Sequence, residues 1–356
     1  MTIETDGRAG ITDGRAWGAR RFSVLLAGGM ALIGVLFVVH LCTGTVRLGP
    51  GEVLASLLGR QAEDLHRTVV WDLRLPRALI AIVAGALLGT AGAVLQVVMR
   101  NNLAEPGITG VTAGGILVAV LWTVGIGGLP HPGRFMPLVV MLGCLGAGAV
   151  VFALSWRDGV HPLRLVLSGV LVSAILSSVT AFIMLRAQAG MGGILPWIIG
   201  SLNGRIWVHW DQLWPWAVAA LPLALLAARP LNVLQLGDIV AAARGMRVNV
   251  TRAALFCLAA LLTAAAVAVV GAVAFLGLVA PHIARWLTGE DARRLLPVAA
   301  VAGAALLIGA DIISQGITIR PPFPAPIHRP GLPVGAVMAF IGAPFFLYIL
   351  RRGAAR

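Results

Sequence analysis

Two carboxylates in this chain bear on how it could handle charge. Asp311 falls near one end of a long apolar run, Glu105 lies in a loop, and the apolar runs are otherwise nearly free of acids. Carriers that run on their own proton or sodium relay hold ionisable groups near the membrane midplane. Any energy input is therefore expected from a partner chain. All 27 strongly basic residues are arginines. Without lysine no G-x-x-x-x-G-K-[ST] loop can exist, so a nucleotide site would have to lie on another polypeptide.

Other reactive residue types lack companions. Ser168, Ser173, Ser177 and Ser178 share one apolar run with no histidine or acid, which suits helix-packing hydroxyls better than a nucleophile and base. His282 beside Pro281 has no ligand spacing, so capping or a loop contact is the expected role and no metal ligand is assigned. Cys42, Cys144 and Cys257 are far apart in apolar surroundings and read as packing residues.

The elements that carry these groups follow from composition. Hydrophobic residues make up 59% of the 356 and charged ones 12%, where a soluble domain carries roughly a quarter charged. Long runs rich in Ala, Leu, Val and Gly exclude the alternating pattern of a β-barrel. The reading is an all-α polytopic membrane protein. About ten transmembrane helices are expected, at 22–41, 76–98, 111–126, 136–154, 165–185, 213–228, 253–270, 273–286, 295–313 and 332–350. A single helix over 253–286 would be about 51 Å long, so Gly271, Gly277 and Pro281 are expected to break it into a re-entering pair. The first run lacks a small-x-small cleavage site and reads as a retained span.

An even number of spans puts both termini on one side. With the termini cytoplasmic, 17 arginines fall inside and 10 outside, as in an inner-membrane protein. Residues 1–21 and 351–356 are then cytoplasmic tails around a transmembrane domain at 22–350. The exception is Arg67, Arg74 and Arg77, on the outer side before the second span. Because the arginines fall in loops rather than in one stripe with aromatics, nucleic acid is not an expected partner. Leu195 to Leu202 is expected as a short helix on the outer face. The proline-rich run 320–330, within an external loop at 314–331, cannot be helical.

Two cytoplasmic segments are candidates for function. The loop at 230–252 holds Leu236, Gly237, Asp238, Ala242, Arg244 and Gly245. Gly237 can end one short helix, Asp238 can open the next, and the pair can lie in a groove of a soluble partner. An ordinary solvated loop is the competing reading. Gln96, Arg100 and Asn101 at the end of the second span either shape an inner gate or satisfy helix-end carbonyls.

The ordered segments Leu73-Arg74-Leu75-Pro76-Arg77, Gln96 to Gly107, Leu236-Gly237-Asp238, Gly277 to Arg285 and Leu332 to Phe346 make the chain resemble the FecCD permeases from about Trp71 onward. Those permeases import iron-siderophores, haem and cobalamin. The resemblance implies a type II ABC importer permease fold, two permeases forming a channel (a second copy or a paralogue), two ABC ATPase subunits that hold ATP, and an extracytoplasmic binding protein. It implies a coupling role for the 230–252 loop and docking of the binding protein on Arg74 and Arg77, with simple interfacial anchoring as the alternative. It further implies transport of a metal chelate such as a ferric siderophore, with haem or cobalamin as alternatives, no cofactor on this chain and no enzymatic site. The chain departs from the family pattern at Asn102 (usually proline), Gln315 (often a third docking arginine) and Gly331 (often acidic). Arg320 or Arg329 is expected to take the place of the missing arginine. A stand-alone secondary transporter is the rival from another class.

Overall fold

The structure, a computed structural model, describes residues 9–44, 46–59, 64–125, 135–157, 159–187, 191–319 and 331–353. Among them the chain is helical, with one isolated bridge between Trp156 and Val160. In order, the helices are α1 (Ala9–Cys42), α2 (Pro50–Leu57), α3 (Asp64–Thr68), α4 (Leu75–Val98), α5 (Val111–Val124), α6 (Met136–Ser155), α7 (Pro162–Ala187), α8 (Met191–Ile199), α9 (Trp207–Leu226), α10 (Ala228–Gln235), α11 (Asp238–Ala243), α12 (Val248–Val270), α13 (Leu276–Thr288), α14 (Ala292–Ile319) and α15 (Val334–Gly353). A π-helical turn, Val69–Arg74, leads into α4, and a 3₁₀ turn, Pro106–Thr109, leads into α5.

Among the described residues, six stretches are long and apolar enough to cross a membrane: Arg20–Cys42, Asp64–Val98, Met136–Ser155, Pro162–Arg186, Val248–Val270 and Ala292–Thr318. Helices α9 and α10, bent by 46° at their junction, make a seventh when taken together, and α5 and α15 are shorter apolar helices. With nothing but lipid to drive against, helices in a membrane associate through close packing. Here α4 is the packing axis. Its residues from Ala84 to Val98 are almost all buried, and Gly85, Gly89 and Gly92 form a side-chain-free stripe. A Cβ at 85 would collide with the Gly303 carbonyl of α14, and one at 92 with the Gly277 carbonyl of α13.

The break expected between the seventh and eighth spans is present at Gly271, with the second helix starting three residues later than expected. Helix α12 ends at Val270, the chain is non-helical through 271–274, and Phe275, in the left-handed region at φ 63°, opens α13. Gly277 and Pro281 do not break the chain; both lie inside α13. Proline at 281 supplies no N–H to the carbonyl four residues back, which is that of Gly277. That carbonyl is the one packed on Gly92, where α4 has no side chain.

Two other boundaries differ from the sequence reading. Helix α14 continues to Ile319, six residues into the expected loop, because no breaker occurs before Pro321 and its last turn is stitched to the start of α15. Ser314 Oγ donates to the Leu332 carbonyl at 2.5 Å, and the Leu332 N–H donates to Thr318 Oγ1 at 2.9 Å. The short helix before α9 is Met191–Ile199, ending at Gly200 with φ 81°, rather than 195–202. Arg320 and Arg329 lie outside the described residues.

Candidate functional site

Polar chemistry gathers at the two ends of α4. At the N-terminal end Asp311 of α14 is fully buried and ringed by donors. Arg77 grips it bidentately, Nε to Oδ2 and Nη2 to Oδ1, both at 2.8 Å. His40, the last-turn residue of α1, places Nε2 2.8 Å from Oδ2, and Gln315 Nε2 donates to the same oxygen at 3.1 Å. His40 Nδ1 is buried without a partner, so the ring makes its contacts through Nε2, to Asp311 Oδ2 and, at 2.9 Å, to Gln315 Nε2. Gln315, at the position where the resemblance expects arginine, thus closes the ring around Asp311 together with His40.

Arg74, one turn before Arg77, does something else. Its side chain is buried, Nη1 donates to the Leu41 carbonyl at 2.6 Å, and Nη2 donates to the Val46 carbonyl. The last carbonyls of a helix have no intrahelical donor, and Arg74 supplies one to α1. Arg74 and Arg77 still share a boundary: with Gly44, Val69, Leu73, Asn203, Gln315 and Thr318 they line a cavity of about 220 Å³.

The C-terminal end is built around Asp238, the first residue of α11. Gly237 before it has φ 106° and ψ 155°, a backbone state open to glycine and strained for other residues. The Asp238 Oδ1 accepts from Arg100 Nη2 at 2.6 Å and from Arg252 Nη2 at 2.7 Å. Arg252 of α12 is buried and its Nη1 donates to the Val160 carbonyl at 2.7 Å, so the carboxylate joins α11 to α12 and the 156–160 turn. Arg100 brings in the end of α4 and does so from a left-handed backbone, φ 48°.

The three residues expected near an inner gate therefore part ways. Arg100 meets α11. Gln96 is buried and accepts from Arg285 Nη1 of α13 at 2.9 Å, while Arg285 also pairs with Glu290 at 3.2 Å. Asn101 folds the connection, its Oδ1 accepting from the Leu103 N–H at 2.9 Å and its carbonyl from the Ala104 N–H at 3.0 Å. Helix α11 presents Ile239, 88% exposed, beside exposed Leu236 and Val240, with Ala242, Arg244 and Gly245 exposed after them. An apolar pair, Ile239-Val240, in a polar loop was the available signal for that surface.

Two further residues bear on this end. In the connection from α4 to α5, Glu105 Oε2 accepts the Phe275 N–H at 2.9 Å, tying that connection to the start of α13. Burial pushes the Glu105 carboxyl up to about 7, against the opposing pull of that N–H. Near the surface, burial raises the Asp291 carboxyl, but the Asn232 amide, the Arg293 N–H and the charges of Arg293 and Arg294 outweigh it and hold it below 3.8. Asn232 also accepts the Ala292 N–H, so this pair caps α14 and fastens α10 to it. His282 Nδ1 lies 2.9 Å from the Leu278 carbonyl one turn back, a local helix contact. Among the described residues no group of three or more His, Cys, Asp or Glu is placed to hold a metal.

Among the described residues, several helices are long and apolar enough to cross a membrane, and ion pairs sit at both ends of α4. The FecCD transport family matches residues 32–352, and the chain belongs to it. It is 36% identical over 343 residues to the iron(3+)-hydroxamate import system permease protein FhuG of Bacillus subtilis (strain 168), covering 92% of this chain and 97% of that protein. It is 37% identical over 293 residues to the cobalamin import system permease protein BtuC of Halobacterium salinarum, covering 81% and 74%. Among solved structures, a chain described as an inward-facing metal-chelate type ABC transporter superposes with a TM-score of 0.80 at 26% identity, over 93% of this chain and 99% of that one.

Proposed function

We propose that this chain is the channel-forming subunit of an ATP-driven, binding-protein-dependent importer whose cargo is a ferric siderophore. The carrying observation is α11. It offers exposed Ile239 to a partner and is fastened through Asp238 to the ends of both α4 and α12. A force applied there by an ATPase has a hydrogen-bonded route into the bundle. Membership in the FecCD family and the hydroxamate and metal-chelate relatives support the same reading. Cobalamin is the second cargo, favoured by the BtuC relative; haem is a third.

In this reading two ATPase subunits bind ATP beneath α11, and a second permease copy or paralogue completes the channel. The chain makes ten passes with both termini cytoplasmic, holds no cofactor and catalyses no reaction itself. The binding protein docks at the outer end, over the cavity lined by Arg74 and Arg77. Asp311 neutralises one of these cations, so an incoming carboxylate meets about one net positive charge, enough to orient an encounter rather than to hold it. Arg320 and Arg329 join that surface.

The test is reconstitution of the chain with its ATPase and binding protein in liposomes. Ferric siderophore bound to the binding protein is expected to stimulate ATP hydrolysis and to enter the vesicles. Uptake by this chain alone, indifferent to loss of the ATPase, overturns the reading in favour of a secondary transporter.

A further inference from the structure

The connection between α4 and α5 is pinned at both ends and stiff between them. At one end Arg100 holds Asp238 of α11 at 2.6 Å, two half-exposed side chains beside the exposed Ile239. At the other, Glu105 accepts the Phe275 N–H at 2.9 Å. Between them Asn101 hydrogen-bonds the N–H groups of Leu103 and Ala104, its own N–H bonds the Gln96 carbonyl at 3.1 Å, and Ala104 and Pro106 are buried. A connection so braced transmits a displacement rather than absorbs it.

The far end of this strut meets the break between α12 and α13. Phe275 opens α13 from a left-handed backbone and has no side chain able to cap a helix, so its N–H depends on a remote acceptor. Glu105 is that acceptor. The next residue locks the same junction: a Cβ at 277 would lie 2.5 Å from Pro106 Cδ. On the other side the Phe275 ring packs against Phe346 of α15, with centroids 6.5 Å apart, so the junction touches α4, α13 and α15 at once.

We propose that Glu105 is a positioning residue of the transport cycle, coupling movement of α11, received through Asp238 and Arg100, to the start of α13 at Phe275. The inference rests on the importer reading, and the wild-type complex separates the two: if it shows no cargo-stimulated hydrolysis, the reading itself fails. The quantity to measure is cargo moved per ATP hydrolysed in liposomes holding the full complex. In E105A the ratio is expected to fall about tenfold, as loss of a single hydrogen bond allows, and E105Q, whose amide oxygen can still accept the Phe275 N–H, is expected to recover most of it. A ratio within about twofold of wild type in E105A overturns the proposal, including the case where less complex assembles but what assembles is fully coupled. Should E105A yield no complex, E105D decides by the same criterion, because it keeps the carboxylate but withdraws it by one methylene.

Discussion

The two ends of α4 solve one problem in opposite ways. Each has a carboxylate shared between two bases: Asp311 between Arg77 and His40, Asp238 between Arg100 and Arg252. Asp311 is fully buried, has both oxygens engaged and joins helices that already pack along their length. Asp238 is 39% exposed, uses one oxygen for both arginines and joins a six-residue helix to elements it otherwise barely touches. A buried pair is expensive to break and holds a geometry. One open to water exchanges partners cheaply and suits a joint that moves.

The largest expected effect tests the anchored end. D311A leaves Arg77 and His40 facing a void and is expected to lower stability by about 3–5 kcal/mol, read as a large drop in the thermal midpoint of the purified protein. A drop no greater than that of D238A would erase the contrast between the two ends. D238A itself is expected to lose about 1–3 kcal/mol, chiefly from the buried Arg252 left with only the Val160 carbonyl. The smallest effect on stability sharpens the comparison most. R100G removes an exposed pair worth under about 1 kcal/mol and relieves a left-handed arginine backbone that costs about as much. Its thermal midpoint should match wild type while cargo-stimulated ATP hydrolysis falls. A full loss of stability with normal stimulation would mean that Arg100 is an anchor as well.

Much of the fold could be read from local pattern. The helical membrane class, the turn at Gly237 and the break after Val270 follow from apolar run length and from glycine. Side-chain direction does not follow from pattern. Arg74 and Arg77 are identical in type and one turn apart, yet one caps α1 and the other grips α14. Asp311 stood out in the sequence as an acid in an apolar run. His40 did not, because 271 residues separate the two and a lone histidine near a span end has many uses. The glycines of α4 suited close packing as a class; which of them meets which helix depends on the rotation of each helix about its axis. Glu105 and Phe275 were unreadable as a pair for a plainer reason: one partner is a backbone N–H, and every residue except proline has one.

The glycine stripe of α4 has a mechanical meaning. Where Gly85 meets Gly303 and Gly92 meets Gly277, no side chains lie between the backbones to tilt or repack. Helices engaged in this way slide past one another only by jumping a register, about 5.4 Å for one turn. Helices α4 and α14 should therefore travel as a single body during any opening, and the give must come from the segments packed around them, the start of α13 included.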